Sequence, residues 1–360
     1  MLLRRSVNKK HRPLLPAIVG AVLVLAALAW ADPATAAQHP SPGRAVSTAA
    51  PTPGTGAGMG IVNDPAAYAR AIRSGDWIRT PDGLMYKTCV YHIPSGARIN
   101  GDTIVYRGGA THRMAPCAHP TLAYPAGSNV IQMRPGTGGA SPASASARPP
   151  LATGWWSDWW WHAPSFLTYL FERFSVPADP AQSGALIFFF PALESQDPSP
   201  NILQPVLTWG ANPGVVSNPN IWYITSWYVI NGHGAFSDSI HVAPGDTIDG
   251  TISAQNCNVH GACAWTVTTG VEGGSSQSIP ATVGVPFVTV FGGAMEVPAP
   301  GISSCAQLPS EGHEAFRNLS AVDNDGAMPS TAVFTIVNQG SCGATVYRGV
   351  ATGGDITWTP

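Results

Sequence analysis

Charged side chains are scarce in this chain, and the signatures of several common active sites are missing. Only 11% of the residues are charged, and the cations are scattered without interleaved aromatics, which argues against nucleic-acid binding. There is no Cys-x-x-Cys pair and no histidine spacing typical of zinc ligands, so we expect no metal and no other cofactor. No Gly-x-Ser-x-Gly elbow occurs, which argues against a serine hydrolase.

The long apolar run of the sequence lies near its start. Residues 4–12 carry five Lys or Arg, residues 14–30 are apolar, and Ala34-Thr35-Ala36 offers small residues for cleavage. This order predicts a secretory signal over residues 1–36. A run of about 17 apolar residues is at the lower limit for crossing a bilayer. We therefore expect a secreted, extracellular protein with no stable membrane span after signal cleavage.

Cysteine is limited to six residues, all beyond the predicted signal. They are Cys89, Cys117, Cys257, Cys263, Cys305 and Cys342. An even number in an exported chain predicts disulfide bonds, and sequence alone leaves about 15 pairings open. Proximity along the chain favours Cys89–Cys117, Cys257–Cys263 and Cys305–Cys342.

The net charge of −2 conceals two parts of opposite sign. Residues 1–150 hold 15 Lys or Arg and 5 Asp or Glu, whereas residues 151–360 hold 3 and 15. Without the signal, residues 37–150 retain +6 against −12 for residues 151–360. These opposite charges predict an attraction between the two parts at neutral pH that weakens in acid.

Composition also divides the chain into segments. Residues 37–60 are rich in Pro, Gly, Ala, Ser and Thr and are predicted to be disordered, and residues 135–153 resemble a flexible linker. Residues 61–134 are predicted to form a small mixed α+β domain that begins with a helix over Asp64–Arg73. Residues 154–360 form the second predicted domain.

Residues 154–360 show short strand patterns at roughly ten-residue spacing, punctuated by turns, with almost no helix signal. The predicted strands are Leu167–Val176, Ala185–Phe190, Ile202–Trp209, Trp222–Ile230, Ser239–Val242, Thr247–Ala254, Cys263–Thr269, Phe287–Phe291, Ala332–Val337 and Ala344–Tyr347. This all-β pattern predicts an antiparallel β-sandwich.

Two of these apolar stretches are interrupted by a polar residue. Gln204 interrupts the strand Ile202–Trp209, and Glu296 follows Phe291-Gly-Gly-Ala-Met295. Buried polar groups are costly unless they are paired or used, and a carboxylate with an amide can perform acid–base catalysis and oxyanion stabilisation. From spacing alone, a second interpretation is at least as well supported: both are ordinary strand residues whose side chains point to solvent on opposite faces.

An ordered series of motifs around these residues resembles the glutamic peptidases of the eqolisin type, which are acid-acting endopeptidases with a concanavalin-like β-sandwich (jelly roll). The series is Phe174-Ser-Val-Pro177, Ala185–Glu194, Ile202-Leu-Gln204, Ser226-Trp-Tyr228, Val242-Ala-Pro-Gly-Asp-Thr-Ile248, Ala294-Met-Glu296 and Phe316-Arg-Asn318. It covers most of residues 166–340. Two positions depart from the family pattern: Val229 replaces an acidic residue of the cleft strand, and Phe190 replaces a tryptophan.

The first part of the chain resembles the activation domain of the neprosin-type glutamic peptidases, which are made as zymogens. The resemblance lies in Pro81-Asp-Gly83, Cys89-Val90 and His119-Pro120. In that family a glutamate occupies the place of Gln204. Together the two resemblances imply a secreted zymogen whose partners are polypeptide substrates and its own propeptide, and we expect a monomer.

The resemblance also implies roles for individual residues. Glu296 is the implied general base, and Gln204 is implied to hold the attacking water and to donate to the oxyanion. Glu194 follows an apolar run and is a candidate to orient Gln204, although an exposed loop acid fits it as well. Further candidates for lining or supporting the site are Phe190, Trp227 and Tyr228.

Two other functions fit the same sequence. The tryptophans at 155, 156, 159, 160 and 161 fit a carbohydrate-binding, lectin-like sandwich, although such clusters more often pack across a sandwich face. Glu194 and Glu296 together fit the carboxylate pair of a glycosidase.

Overall fold

The computed structural model describes residue 62 and residues 64–81, 83–122, 154–195, 201–230, 232–298 and 300–360. The predicted signal, the predicted disordered segment and the predicted linker lie outside the described residues. All described residues belong to one compact unit. Within these ranges no helix combines the length and the apolar character required to span a bilayer.

The helix expected near residue 64 is confirmed as α1 (Pro65–Ser74). The side chain of Asp64 caps its start, because the carboxylate accepts hydrogen bonds from the backbone N–H groups of Ala66 and Ala67 at 2.9 and 3.0 Å. Gly75 ends the helix with a φ of 73°, a left-handed conformation that glycine adopts without a steric penalty.

Strands make up most of the remaining structure. They are β1 (Trp77–Thr80), β2 (Gly83–Tyr86), β3 (Val90–Ile93), β4 (Arg98–Asn100), β5 (Thr103–Val105), β6 (Thr111–Arg113), β7 (Gly154–His162), β8 (Leu167–Ser175), β9 (Ile187–Ser195), β10 (Ile202–Trp209), β11 (Trp222–Ile230), β12 (His233–Ser237), β13 (Ile240–Val242), β14 (Thr247–Gln255), β15 (Cys263–Val271), β16 (Ser276–Val283), β17 (Phe287–Val297), β18 (His313–Asp323), β19 (Gly326–Ala327), β20 (Thr335–Asn338), β21 (Thr345–Val350) and β22 (Gly353–Thr357).

Most of these strands form two large sheets, which confirms the predicted β-sandwich. The nine-stranded sheet has the order β20-β7-β17-β9-β10-β11-β12-β3, with β13 also paired to β11. The eleven-stranded sheet has the order β21-β22-β18-β8-β14-β15-β16-β4-β5-β6, with β19 paired to β18. Neighbouring strands are antiparallel except where β3 joins β12 and β4 joins β16.

Each large sheet has an inner face, which packs against the other sheet, and an outer face. Two apolar clusters fill the space between the inner faces, one around Leu203 and Val267 and the other around Phe189 and Phe316. A third buried cluster lies on the outer face of the nine-stranded sheet. This outer face is therefore covered, and the cover comes from the first part of the chain.

Residues 64–122 continue both sheets of the sandwich. The strand β3 adds to β12, and β4 adds to β16. Ile93, Ile99 and Ile104 pack into the core between the sheets. The contacts include an exposed ion pair of 2.7 Å between His92 and Asp238. Apolar packing and main-chain pairing therefore hold this part more than the predicted charge attraction does, since exposed ion pairs contribute only about 0–1 kcal/mol.

The hairpin β1–β2 lies over the outer face of the nine-stranded sheet, and we call it the covering hairpin (Trp77–Tyr86). The backbone carbonyl of Arg79 accepts a hydrogen bond from Asn212 Nδ2 at 2.8 Å, and that of Pro81 accepts one from Trp155 Nε1 at 3.2 Å. The domain limits predicted at 134 and 153 fall outside the described residues and stay predictions.

A glycine pair shapes β17 next to the candidate site. A Cβ atom on Gly292 would lie 2.2 Å from Trp159 Nε1, and one on Gly293 would lie 2.3 Å from the Trp159 ring. The indole of Trp159 therefore needs both glycines. The register of β17 shifts here, between Phe291 and Gly293, and such a bulge changes which residues of the strand face their neighbours.

The three disulfides confirm the pairing that proximity favoured. The structure joins Cys89 to Cys117, Cys257 to Cys263 and Cys305 to Cys342. The first bond lies within residues 64–122, and the other two lie within residues 154–360. No described disulfide therefore links the two parts of the chain.

Candidate active site

Gln204 and Glu296 lie on the same side of the nine-stranded sheet. Successive side chains of a strand point to opposite faces, and both Leu203 on β10 and Met295 on β17 pack between the two sheets. Gln204 and Glu296 therefore point to the outer face, where both are fully buried. The interpretation in which the two side chains point to solvent on opposite faces is therefore wrong.

Strand register nevertheless separates the two side chains. Glu296 pairs with Phe188 of β9, and Phe188 pairs with Thr208 of β10, whereas Gln204 lies four residues before Thr208. Their Cα atoms are therefore about 13 Å apart along the strands and about 10 Å apart across them. Phe190 lies on the intervening strand, between the two levels. The structure does not bring the expected dyad into contact, and its catalytic role stays a prediction.

Gln204 lies among the residues expected to support it. Trp227 pairs with it directly on β11, and Glu194, which is half-buried, pairs with Ile202 on the adjacent strand. Glu194 is thus a diagonal neighbour of Gln204, a position from which long side chains reach each other. Neither Oε1 nor Nε2 of Gln204 has a hydrogen-bond partner among the described residues. The hydrogen-bonding capacity of the amide is therefore unused among the described residues.

The other two supporting residues have different outcomes. Phe190 lies on the outer face and meets the ring of Trp155 edge-on, with the ring centres 5.2 Å apart. Tyr228 pairs with Leu203 and packs with it between the sheets. The structure therefore corrects the expectation that Tyr228 supports the site, because side-chain alternation places it on the inner face.

Asp158 is an acidic residue of this face that sequence reasoning missed. It lies on β7 opposite Ala294, so it shares the outer face with Glu296 two residues further along β17. The residue is 1% exposed, and burial raises the pKa of its carboxyl group to about 8. Its Oδ1 has no hydrogen-bond partner among the described residues. A lone acidic residue within a run of tryptophans was the available signal.

The first part of the chain closes this face. Ile78, Met85 and Val90 pack into the cluster that surrounds Gln204 and Glu296. Met85 Sδ lies 3.2 Å from the position that a Cβ atom on Gly234 would take. Gln204 and Glu296 are therefore shielded from solvent beneath this part of the chain.

The geometry bears on the two other functions that the sequence left open. Glu194 lies six residues from Phe188, the residue paired with Glu296, so the two carboxyl groups are about 20 Å apart along the strands. Glycosidase carboxylates are about 5–9.5 Å apart, so this pair does not fit one. The five clustered tryptophans are buried or half-buried, which leaves no exposed platform for a sugar ring.

The described residues contain no group of three or more His, Cys, Asp or Glu that is placed to hold a metal ion. The candidate site therefore consists of buried protein side chains, chiefly Asp158, Gln204 and Glu296, on an apolar sheet face.

Comparisons with known proteins add a fold likeness only. No protein-family model matches the sequence, and no curated protein matches it. The structure is similar to the crystal structure of Scytalido-glutamic peptidase with a peptide-based transition-state analog, at 13% identity and a TM-score of 0.40. It is also similar to SCP-B, a member of the eqolisin family of peptidases, in a complex with the tripeptide Ala-Ile-His, at 13% identity and a TM-score of 0.38.

Each likeness covers 58% of this chain and 100% of the other chain. Both of these neighbours are peptidases. Identities and TM-scores this low do not assign an activity to the present chain, whose sandwich is established by its own strand pairing.

Proposed function

We propose that the protein is an acid-acting peptide hydrolase of the glutamic type, made as a secreted zymogen. The observation that carries this proposal is the complete burial of Gln204 and Glu296 on one sheet face beneath the first part of the chain. Burial of the Gln204 amide, which has no hydrogen-bond partner among the described residues, opposes folding unless the amide is used. The resemblance of the motifs around both residues to glutamic peptidases supplies the reaction class.

Glu296 acts as the general base of the proposed reaction. It takes a proton from water as the water oxygen attacks the peptide carbonyl carbon, and it then returns a proton to the leaving nitrogen. An ordinary glutamate has a pKa of about 4.3, so this chemistry suits a mildly acidic medium.

Gln204 lies too far from Glu296 to hold the same water in the described arrangement. Its unpartnered amide instead suits the main chain of a substrate laid across β9, about four residues from the scissile bond by strand register. Trp227 opposite it and Phe190 beside it provide apolar contact for the side chains of that substrate. In this proposal Gln204 contributes to binding more than to the chemical step.

In this proposal the described form, with its outer face covered, is the latent one. Catalysis requires residues 77–90 to leave the outer face, and cleavage between the two parts of the chain would allow this, since no described disulfide joins them. The predicted cleavage region lies between the two parts, within residues 135–150. Its low-complexity sequence between residues 135 and 150 suits proteolytic processing.

The test uses full-length protein with a site-specific protease sequence inserted within residues 135–150, cut after folding. Digestion of casein at about pH 4 is compared for the wild type, Glu296→Gln, Gln204→Ala and the control Glu311→Gln, whose residue lies on the exposed surface. We expect acid proteolysis only after cutting. It should be lost in Glu296→Gln, reduced mainly through a higher KM in Gln204→Ala, and unchanged in Glu311→Gln.

Full activity of a contamination-free Glu296→Gln preparation would contradict the assignment of the base. Equal activity before and after cutting, with the first part still bound, would contradict the latent form.

A further inference from the structure

We propose that Asp158 is the second carboxyl group of this site and shares one proton with Glu296, acting as the proton donor to the substrate carbonyl. The role in hydrolysis rests on the proposed function. The pairing itself is a property of the fold, and it has a separate test.

Strand pairing places the two groups together. Asp158 is opposite Ala294, and Glu296 is the next residue of β17 that points to the same face. Diagonal neighbours on adjacent antiparallel strands have Cα atoms about 7–8 Å apart, within the combined reach of an aspartate and a glutamate side chain. Gln204, by contrast, is separated from Glu296 by a whole strand. Asp158 is therefore the better placed partner.

The surroundings keep both groups away from water. Trp155 of β7 pairs with Glu296 of β17. Its ring packs against those of Phe190 and Phe291, with the ring centres 5.2 and 4.8 Å apart. Two carboxyl groups that close, in an apolar site, cannot readily both ionise, so one of them holds a proton.

Asp158 is the group that holds the proton. Burial, with no offsetting described cation, raises its pKa to about 8. The two strands paired with β7 beside it contribute Glu296 from β17 and uncharged residues from β20. Its Oδ1 and the Trp160 Nε1, two residues further along the same strand, both lack a hydrogen-bond partner among the described residues. Buried polar atoms in this state commonly mark a place for a ligand group or water.

The proposed step balances without any further reactant. Glu296 takes a proton from water, the water oxygen bonds to the scissile carbonyl carbon, and the carbonyl oxygen takes the proton of Asp158. The resulting gem-diol then gives a hydroxyl proton back to Asp158 while the C–N bond breaks and Glu296 protonates the leaving nitrogen. The products are a carboxylic acid and an amine, and both side chains return to their starting states.

The test compares Asp158→Asn, Asp158→Glu, Glu296→Gln and the double variant in the cut, full-length protein. Asparagine has the shape of a protonated aspartate, so at about pH 4 the fold should be unchanged by Asp158→Asn. We expect this variant to lower kcat by at least about 100-fold, to leave KM within about 3-fold, and to change the pH profile. Asp158→Glu should restore part of kcat.

A second measurement tests the pairing without using activity. The Tm of the uncut protein is followed from acid to neutral pH in the wild type, Asp158→Asn, Glu296→Gln and the double variant. If Asp158 and Glu296 share a proton, the gain in Tm from Asp158→Asn at neutral pH should be smaller when Glu296 is already glutamine.

The outcomes separate the two proposals. If Glu296→Gln is inactive but Asp158→Asn keeps the wild-type kcat and pH profile, the role of Asp158 is overturned while the proposed function stands. If Glu296→Gln keeps full activity, the proposed function fails. The pairing is judged from Tm alone. If Asp158→Asn raises Tm equally with Glu296 present and with Glu296→Gln, the pairing is overturned; a smaller gain with Glu296→Gln supports it.

Discussion

Asp158→Asn is expected to stabilise the folded protein at neutral pH and to leave its stability unchanged in acid. The carboxyl group has an ordinary pKa of 3.8, and burial in the folded protein raises it to about 8. Between these values the folded state holds a proton that the unfolded state has released. The folded wild type therefore loses stability as pH rises from about 4 to about 8, because an acid with a raised folded pKa destabilises the fold above its unfolded pKa.

The magnitude follows from the shift. Each pH unit between the unfolded pKa and the folded pKa costs about 1.4 kcal/mol, so at neutral pH the penalty is about 4 kcal/mol. Asparagine has no proton to release and avoids this penalty. For a domain of this size about 1 kcal/mol corresponds to a shift of about 2–4 °C, so Asp158→Asn should raise Tm by about 8–16 °C.

The assay is thermal unfolding of uncut wild type and Asp158→Asn, monitored by circular dichroism at several pH values from about 4 to about 8. The two Tm values should coincide at the acid end and diverge steadily toward neutrality. Asp355→Asn serves as a control, since that carboxylate forms an ion pair with Arg317 near the surface.

Two parallel Tm curves across this range would refute the reasoning. They would mean that the Asp158 carboxyl group is hydrated or paired with a cation in solution, because desolvation and a nearby carboxylate both raise its pKa and so produce the divergence.

Three further results are expected. Glu172 lies fully buried between the sheets, its carboxyl oxygens have no described hydrogen-bond partner, and burial raises its pKa well above the ordinary value, so Glu172→Gln should also raise Tm at neutral pH but not in acid. Gly293→Ala should lower the free energy of unfolding by about 1–3 kcal/mol in denaturant titrations, since its Cβ atom would overlap the Trp159 ring. Removal of the Cys89–Cys117 bond by a double serine substitution should destabilise the first part by about 2–4 kcal/mol, measured as faster acid-dependent proteolysis of that part, with the sandwich intact. A wild-type pH profile of Tm in Glu172→Gln would contradict the first expectation. An unchanged free energy of unfolding in Gly293→Ala would contradict the second. Wild-type resistance of the first part to proteolysis in the double serine variant would contradict the third.

Local sequence determined most of the strands and the disulfide pairs. The strands Ile202–Trp209 and Trp222–Ile230 were predicted with the bounds that the structure shows, because apolar runs bounded by turn residues specify their own conformation. The cysteine pairs followed chain proximity because each bond closes a local loop. The strand β7 was missed, since its tryptophans carry no clear alternation that separates a strand from a packing segment.

Tertiary structure decided the composition of the candidate site. Which residues face each other depends on strand order and register, and a bulge such as the one between Phe291 and Gly293 shifts every later residue of β17 against its neighbours. Motif order in the sequence therefore selected Gln204 and Glu296 as candidates but could not show that a strand separates them. It also could not show that Asp158, more than a hundred residues away in the chain, is the closer carboxyl group, because contacts between distant strands are set by packing and not by local pattern.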